Sequence, residues 1–215
     1  MPRRDGIPPI YDPQFVSVER ANEWMIDLEP VIPVQIGDDV RAYPQDSLMS
    51  HEVVDDVVGG RPIAVTWCPL CNTALVFHRE VDGQILTFGI SGLLRQSNLI
   101  MWDHETESWW QQGTAEAIVG EMAGTSLVTI PSQVVTWRDF KAAFPDGRVL
   151  EADTGSHGLN PYVGYDTSLP YLYYGGPELD SLLPVMERVV GIRAGGVVRA
   201  GLCVRAPGRR HRAEL

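Results

Sequence analysis

Cys68 and Cys71, separated only by Pro69 and Leu70, sit in the stretch VTWCPLCNTALVFH, Val65 to His78. Two thiols at that spacing can share a metal ion, cycle between dithiol and disulfide, or act singly as nucleophile or ligand. On a strand Ile63, Val65 and Trp67 take one face, and Ala64, Thr66 and Cys68 take the other. Pro69 has no N–H to donate and breaks the ladder. Cys68 is therefore expected at a strand end, with Cys71 across a tight turn and a further strand, ALVFH, behind it.

Four readings of the pair stay open. In the first it is half of a metal centre for zinc, iron or copper, since a C-P-x-C before a turn resembles the knuckle of rubredoxins and zinc ribbons. A closed tetrahedral site needs two more ligands. With no second CxxC they must come from His51, His78, His104, His157 or a carboxylate. In the second it is a redox dithiol. The thioredoxin arrangement activates its first thiol at a helix N-terminus, and the strand-forming TALVF after Cys71 argues against a helix there. In the third a single cysteine, Cys68, is nucleophile or ligand, with His51 as base or co-ligand. In the fourth both are small core hydrophobes or a plain disulfide.

Two other stretches carry polar groups. SHEVVDD places His51-Glu52 shortly before the Cys68 strand, either as site residues or as an exposed strand start. GISGLLRQSNLIMWDHETESWWQQ, 89–112, mixes Ser91, Arg95, Asn98, Asp103, Glu107, Ser108 and Gln112 with apolar residues. Ser91, Arg95 and Gln112 are the candidate pocket polars. GISG is not the G-x-S-x-G nucleophile elbow, and no Walker A or G-x-G-x-x-G occurs.

The elements that must position these groups are mostly strands. Ser17 can cap a helix to about Leu28, with Ala21, Trp24, Met25 and Leu28 on one face. Gly37-Asp38-Asp39 turns one hairpin, Asp82-Gly83 a second within TALVFHREVDGQILTFGI, and His104-Glu105-Thr106 a third. Thr136 opens a short helix with Asp139 at N3, whose Trp137, Phe140, Ala143 and Phe144 face one way. Leu48–Val58 is ambiguous. After Leu150 the sequence is loop-like, with a Tyr-rich stretch over 162–174.

Positions 29–42 align without gaps on 187–200, with six identities, as two copies of a hairpin or as chance similarity.

At 215 residues and 44% hydrophobic the chain suits one large domain. Its net charge of -11 argues against phosphate-backbone binding, which needs a basic face, so no nucleic-acid partner is expected. No stretch reaches the roughly 18 apolar residues of a membrane span. MPRRDGIPPIYDP has no apolar core, so as written the chain reads as cytoplasmic, or extracytoplasmic if its true start lies upstream.

DGIPPIYDPQFVS, the run from Arg41 to Gln112, TAEAIVGEMAGTSL and FPDGRVL together resemble the DUF3179 family, from about Asp5 to Ala200. The resemblance brings no activity with it. It implies that Cys68 and His51-Glu52 belong to the family motif and that the position of Cys71 can hold Thr. It also implies that members often carry a signal or lipoprotein segment before DGIP and continue beyond the second hairpin.

The expected fold is α+β and mainly β, with antiparallel hairpins and two or three short helices. The expected organisation is an extended arm at 1–16, a single domain at 17–200 and a disordered or truncated tail at 201–215 that contains Cys203. The expected function is a metal-binding or thiol-active site on Cys68, Cys71 and His51. The alternative is a non-enzymatic binding or scaffold module, with structural cysteines and a small-molecule or protein partner.

Overall fold

RPIAVTWC forms a strand buried on both faces, and its alternation is that of the sequence. Ile63, Val65 and Trp67 enter one apolar core, while Ala64 and Cys68 enter another. The computed structural model describes residues 3–151, 162, 164–170, 178, 181–194 and 197–202. In chain order the elements are β1 (Phe15–Ser17), α1 (Val18–Ala21), β2 (Pro30–Ile36), β3 (Asp39–Pro44), α2 (Gln45–His51), β4 (Val53–Val58), β5 (Arg61–Cys68) and β6 (Thr73–His78). Then come β7 (Glu80–Val81), β8 (Gln84–Ile85), β9 (Phe88–Arg95), β10 (Asn98–Asp103), β11 (Trp109–Gln111) and β12 (Glu116–Val119). They are followed by β13 (Thr129–Ile130), β14 (Val135–Thr136), α3 (Trp137–Ala143), β15 (Arg148–Leu150), β16 (Val189–Ala194) and β17 (Val197–Leu202). Strand takes 46% and helix 11%, so the molecule is α+β and mainly β, with three short α-helices among the described residues.

Three sheets stack in layers within the unit Met1–Asn160. The middle sheet runs β13-β6-β5-β4, and its neighbours run β12-β11-β10-β9 and β1-β15-β3-β2-β14. Ala64, Cys68 and Phe77 of the middle sheet meet Phe88, Ile90, Met101 and Trp110 of the second. Val54, Ile63, Val65 and Val76, on the opposite face, meet Ile32, Val34, Tyr43 and Leu150 of the third. The far face of that third sheet packs Val31, Ala42 and Val149 on Val18, Ala21, Trp137 and Phe140 of the helical layer. The middle sheet is covered on both faces, which is why RPIAVTWC reads as an almost continuous apolar run.

The N-terminal arm is built into this stack. Ile10 bridges Val54 in parallel, so it covers the outer edge of β4, and β1 pairs with β15. Asp5 Oδ1 accepts from the Ile90 N–H at 2.8 Å and from Trp102 Nε1 at 3.1 Å.

The hairpins follow their turn residues. Ile36 pairs with Asp39 across Gly37-Asp38, and β10 pairs with β11 across the His104 loop. Three expectations are corrected. The Asp82-Gly83 turn joins only β7 and β8, because β6 pairs with β5 and β13 while β9 pairs with β10. The helix expected over 17–28 ends at Ala21, and Leu28 is 69% exposed. Ala21 and Met25 already bury that short apolar face, and the chain must then straighten to start β2 at Pro30. In α3 the Thr136–Asp139 cap forms as expected, but Ala143 is exposed.

The unit Pro161–Leu215 contains the β16–β17 hairpin. Its register, Ala194 against Val197, matches Ile36 against Asp39 under the alignment of 29–42 with 187–200. Both copies of the repeat are therefore hairpins paired at equivalent positions. Cys203, His157 and residues 163 and 171–174 of the Tyr-rich stretch lie outside the described residues.

Candidate functional site

Cys68 is the last residue of β5 and pairs with Thr73, so Pro69 to Asn72 form the turn into β6. Asn72 adopts φ 48° at the turn's end. Its Oδ1 accepts from Gln45 Nε2 at 3.1 Å and Trp67 Nε1 at 3.3 Å, which pins the turn to α2 and β5. Asn tolerates this left-handed conformation better than most residues. No helix starts after the motif, and helix-dipole activation does not operate here.

The two thiols are unlike. Cys68 is 1% exposed and lies in the core between the middle and second sheets, whereas Cys71 is exposed, and both are free. The two thiols interact in a way that favours the proton on Cys68 and the charge on Cys71. That interaction, followed by bonds from Thr73 and Asn98, pushes the Cys71 thiol down to about 6 against opposing desolvation. The same partnership, together with burial, pushes Cys68 up. Each thiol also has a carbonyl in reach, Ser97 at 3.8 Å from Cys68 and Cys68's own at 3.9 Å from Cys71.

Of the candidate pocket polars, Gln112 reaches this site. It is fully buried and bonds Thr66 Oγ1, the Thr73 carbonyl and Asn98 Nδ2, and Asn98 Nδ2 lies 3.3 Å from Cys71 Sγ. Ser91 is absorbed by an irregularity of β9, where its hydroxyl bonds the Ile100 carbonyl at 2.5 Å and the Leu93 N–H. Arg95 is exposed and clasps Gln111, with Nη1 to Oε1 at 2.6 Å. Asp103 and Ser108 build the β10–β11 loop through Thr106, Trp110 and Met122.

His51 ends α2, and its Nδ1 donates to the Pro8 carbonyl at 2.6 Å, since a carbonyl can only accept. The carboxylate that interacts with Cys71 belongs to the next residue, Glu52. Burial, followed by the Cys71 charge, raises Glu52 to about 7. Glu52 sits at φ 55° and ψ -30°, held by its N–H on Leu48 O at 2.8 Å and by its carbonyl on Trp67 N–H at 2.9 Å. Such a conformation costs a non-glycine residue about 1–3 kcal/mol.

Among the described residues, no group of three or more His, Cys, Asp or Glu is arranged to hold a metal ion. A cavity of about 430 Å³ lined by Arg61, Pro62, His78 and Glu80 lies at the far end of β5, roughly 23 Å of strand from Cys68. No helix among the described residues is long and apolar enough to cross a membrane.

No curated protein and no solved structure matches the chain. A family model does, over residues 4–202, a span that contains the cysteine turn, Glu52, Asn98 and Gln112. The chain therefore belongs to DUF3179, a family described as a protein of unknown function.

Proposed function

We propose that the protein is thiol-active and exchanges disulfides, with Cys71 as attacking thiolate and Cys68 as resolving thiol. The observation that carries this reading is the asymmetry of the pair: an exposed cysteine whose sulfur accepts from Asn98, and a buried one whose thiol donates to the Ser97 carbonyl. The thiolate is the nucleophilic form, and hydrogen bonds to it hold it at neutral pH. In the first step Cys71 S⁻ attacks one sulfur of a substrate disulfide, forming a mixed disulfide and releasing the other sulfur as thiolate. Cys68 then gives up its proton and attacks Cys71 Sγ. The Cys68–Cys71 disulfide forms, and the second substrate thiolate leaves. Glu52, whose carboxyl feels the Cys71 charge and is raised to about 7, is the group we assign to take that proton.

The test uses a Cys203→Ser background and a small aromatic disulfide as substrate. The parent should release two thiols per protein and finish with a Cys68–Cys71 disulfide by peptide mapping. Cys68→Ser should stop after one thiol with a trapped mixed disulfide, and Cys71→Ser should react at least tenfold more slowly. Elemental analysis accompanies the assay. Near-stoichiometric metal lost in Cys68→Ser would replace exchange with ligand chemistry, and unreactive thiols without metal would favour a binding module.

A further inference from the structure

The orientation of an amide is decided by what its partners can do. The Thr73 carbonyl can only accept, and it lies 3.0 Å from Gln112 Nε2. Thr66 Oγ1 sends its hydrogen to the Leu75 carbonyl at 2.8 Å, so toward Gln112 Nε2, at 2.9 Å, it also accepts. The nitrogen end of Gln112 is thereby fixed, and Oε1 must face Asn98 Nδ2 at 2.9 Å. At the other end the Gly113 N–H can only donate, and it meets Asn98 Oδ1 at 2.7 Å. Asn98 is thus fixed from two directions. One Nδ2 hydrogen goes to Gln112 and the second goes to Cys71 Sγ at 3.3 Å.

Turning either amide over would set oxygen against oxygen or N–H against N–H in a buried place, which costs the desolvation of each unpaired group. Gly113 tightens the arrangement, because a Cβ there would come within 3.1 Å of Asn98 Oδ1. The donor aimed at Cys71 is therefore in place before any substrate arrives, and preorganised donors of this kind favour negative charge where they point.

We infer that Asn98 is a catalytic residue that donates to the Cys71 thiolate, and that Gln112 is the positioning residue that fixes which end of Asn98 faces the sulfur. The inference rests on the thiol reading above and assigns the control of that thiol to residues on β10 and just after β11. The pair favours thiolate over thiol, because an N–H offers nothing to an S–H proton.

The experiment measures the alkylation rate of Cys71 by iodoacetamide against pH, read on the Cys71 peptide in the Cys203→Ser background. Asn98→Ala and Gln112→Glu should each raise the midpoint by about one unit, a tenfold loss of thiolate below it. Thr66→Val, a milder change, should raise it by less, and it serves if the others fail to fold. Trp110→Phe, a core control, should lower Tm and leave the midpoint in place. A parent midpoint well below an ordinary thiol that does not move in the folded Asn98, Gln112 and Thr66 variants overturns the inference and leaves disulfide exchange standing. A parent midpoint at the ordinary thiol value overturns both.

Discussion

At the scale of single residues, the feature that sets this site apart is a carboxyl and a thiol whose charges feel each other. Hydrogen bonding pulls the Cys71 thiol down, while burial and the Cys71 charge hold the Glu52 carboxyl up. The alkylation profile of Cys71 should therefore be broader than a single titration. Glu52→Gln should sharpen it to one titration. A Glu52→Gln profile identical to the parent would remove Glu52 from the site. The sequence displays CPLC, His51-Glu52, Asn98 and Gln112 openly. It does not display which member of His51-Glu52 interacts with the thiols, because Glu52 caps α2 at a φ of 55° that neither helical nor strand periodicity describes. Gln112 is legible as a polar residue in an apolar run, but its direction depends on backbone groups of another sheet.

At the scale of elements, local turn chemistry was readable and partner choice was not. Gly37-Asp38 and Asp82-Gly83 both turn the chain, the latter with φ of 52° and 81°. Nothing in TALVFHREVDGQILTFGI tells that β6 and β9 belong to different sheets, since each is equally apolar and the decision is made by Thr129–Ile130 and Asn98–Asp103 far along the chain. The N-terminal arm shows how such a join is held. A Cβ on Gly89 would come within 2.4 Å of Trp102 Nε1 and 2.5 Å of Asp5 Oδ1, where Asp5 ties the arm to β9 and β10. Gly89→Ala should break that latch at a cost of about 1–3 kcal/mol and expose the arm to limited proteolysis ahead of global unfolding. Equal cleavage rates in parent and variant would show that the arm is held elsewhere.

At the scale of the whole molecule, the three-sheet stack buries ionisable groups where its layers join. Asp55 on β4 lies 3.5 Å from Arg79 and accepts the Phe88 N–H at 2.7 Å, so it links the middle and second sheets. Burial outweighs these attractions and raises it to about 7. Its folded form thus holds a proton that the unfolded chain releases near 4, and stability falls as pH rises through that window. Glu52 acts in the same sense, while Cys71, depressed to about 6 from 9, adds stability as pH rises above 6. Asp55→Asn should therefore flatten the decline of Tm between about pH 4 and 7, leaving the smaller slope from Glu52. A parent-like slope would place the proton on another group. Layering on this scale follows from alternation, since Ile63, Val65 and Trp67 part from Ala64 and Cys68, but the order of the layers is a tertiary outcome.

The burial of Cys68 has a consequence for oxidative damage. Peroxide that turns Cys71 into a sulfenic acid leaves that group beside a thiol sheltered in an apolar core, and condensation to the disulfide is reversible, whereas further oxygenation is not. The sheltered sulfur acts as a stop on the oxidation ladder. The position that faces solvent would be capped by the one that does not, with water as the leaving product, and an external thiol that reduces the disulfide would return the pair to its starting state.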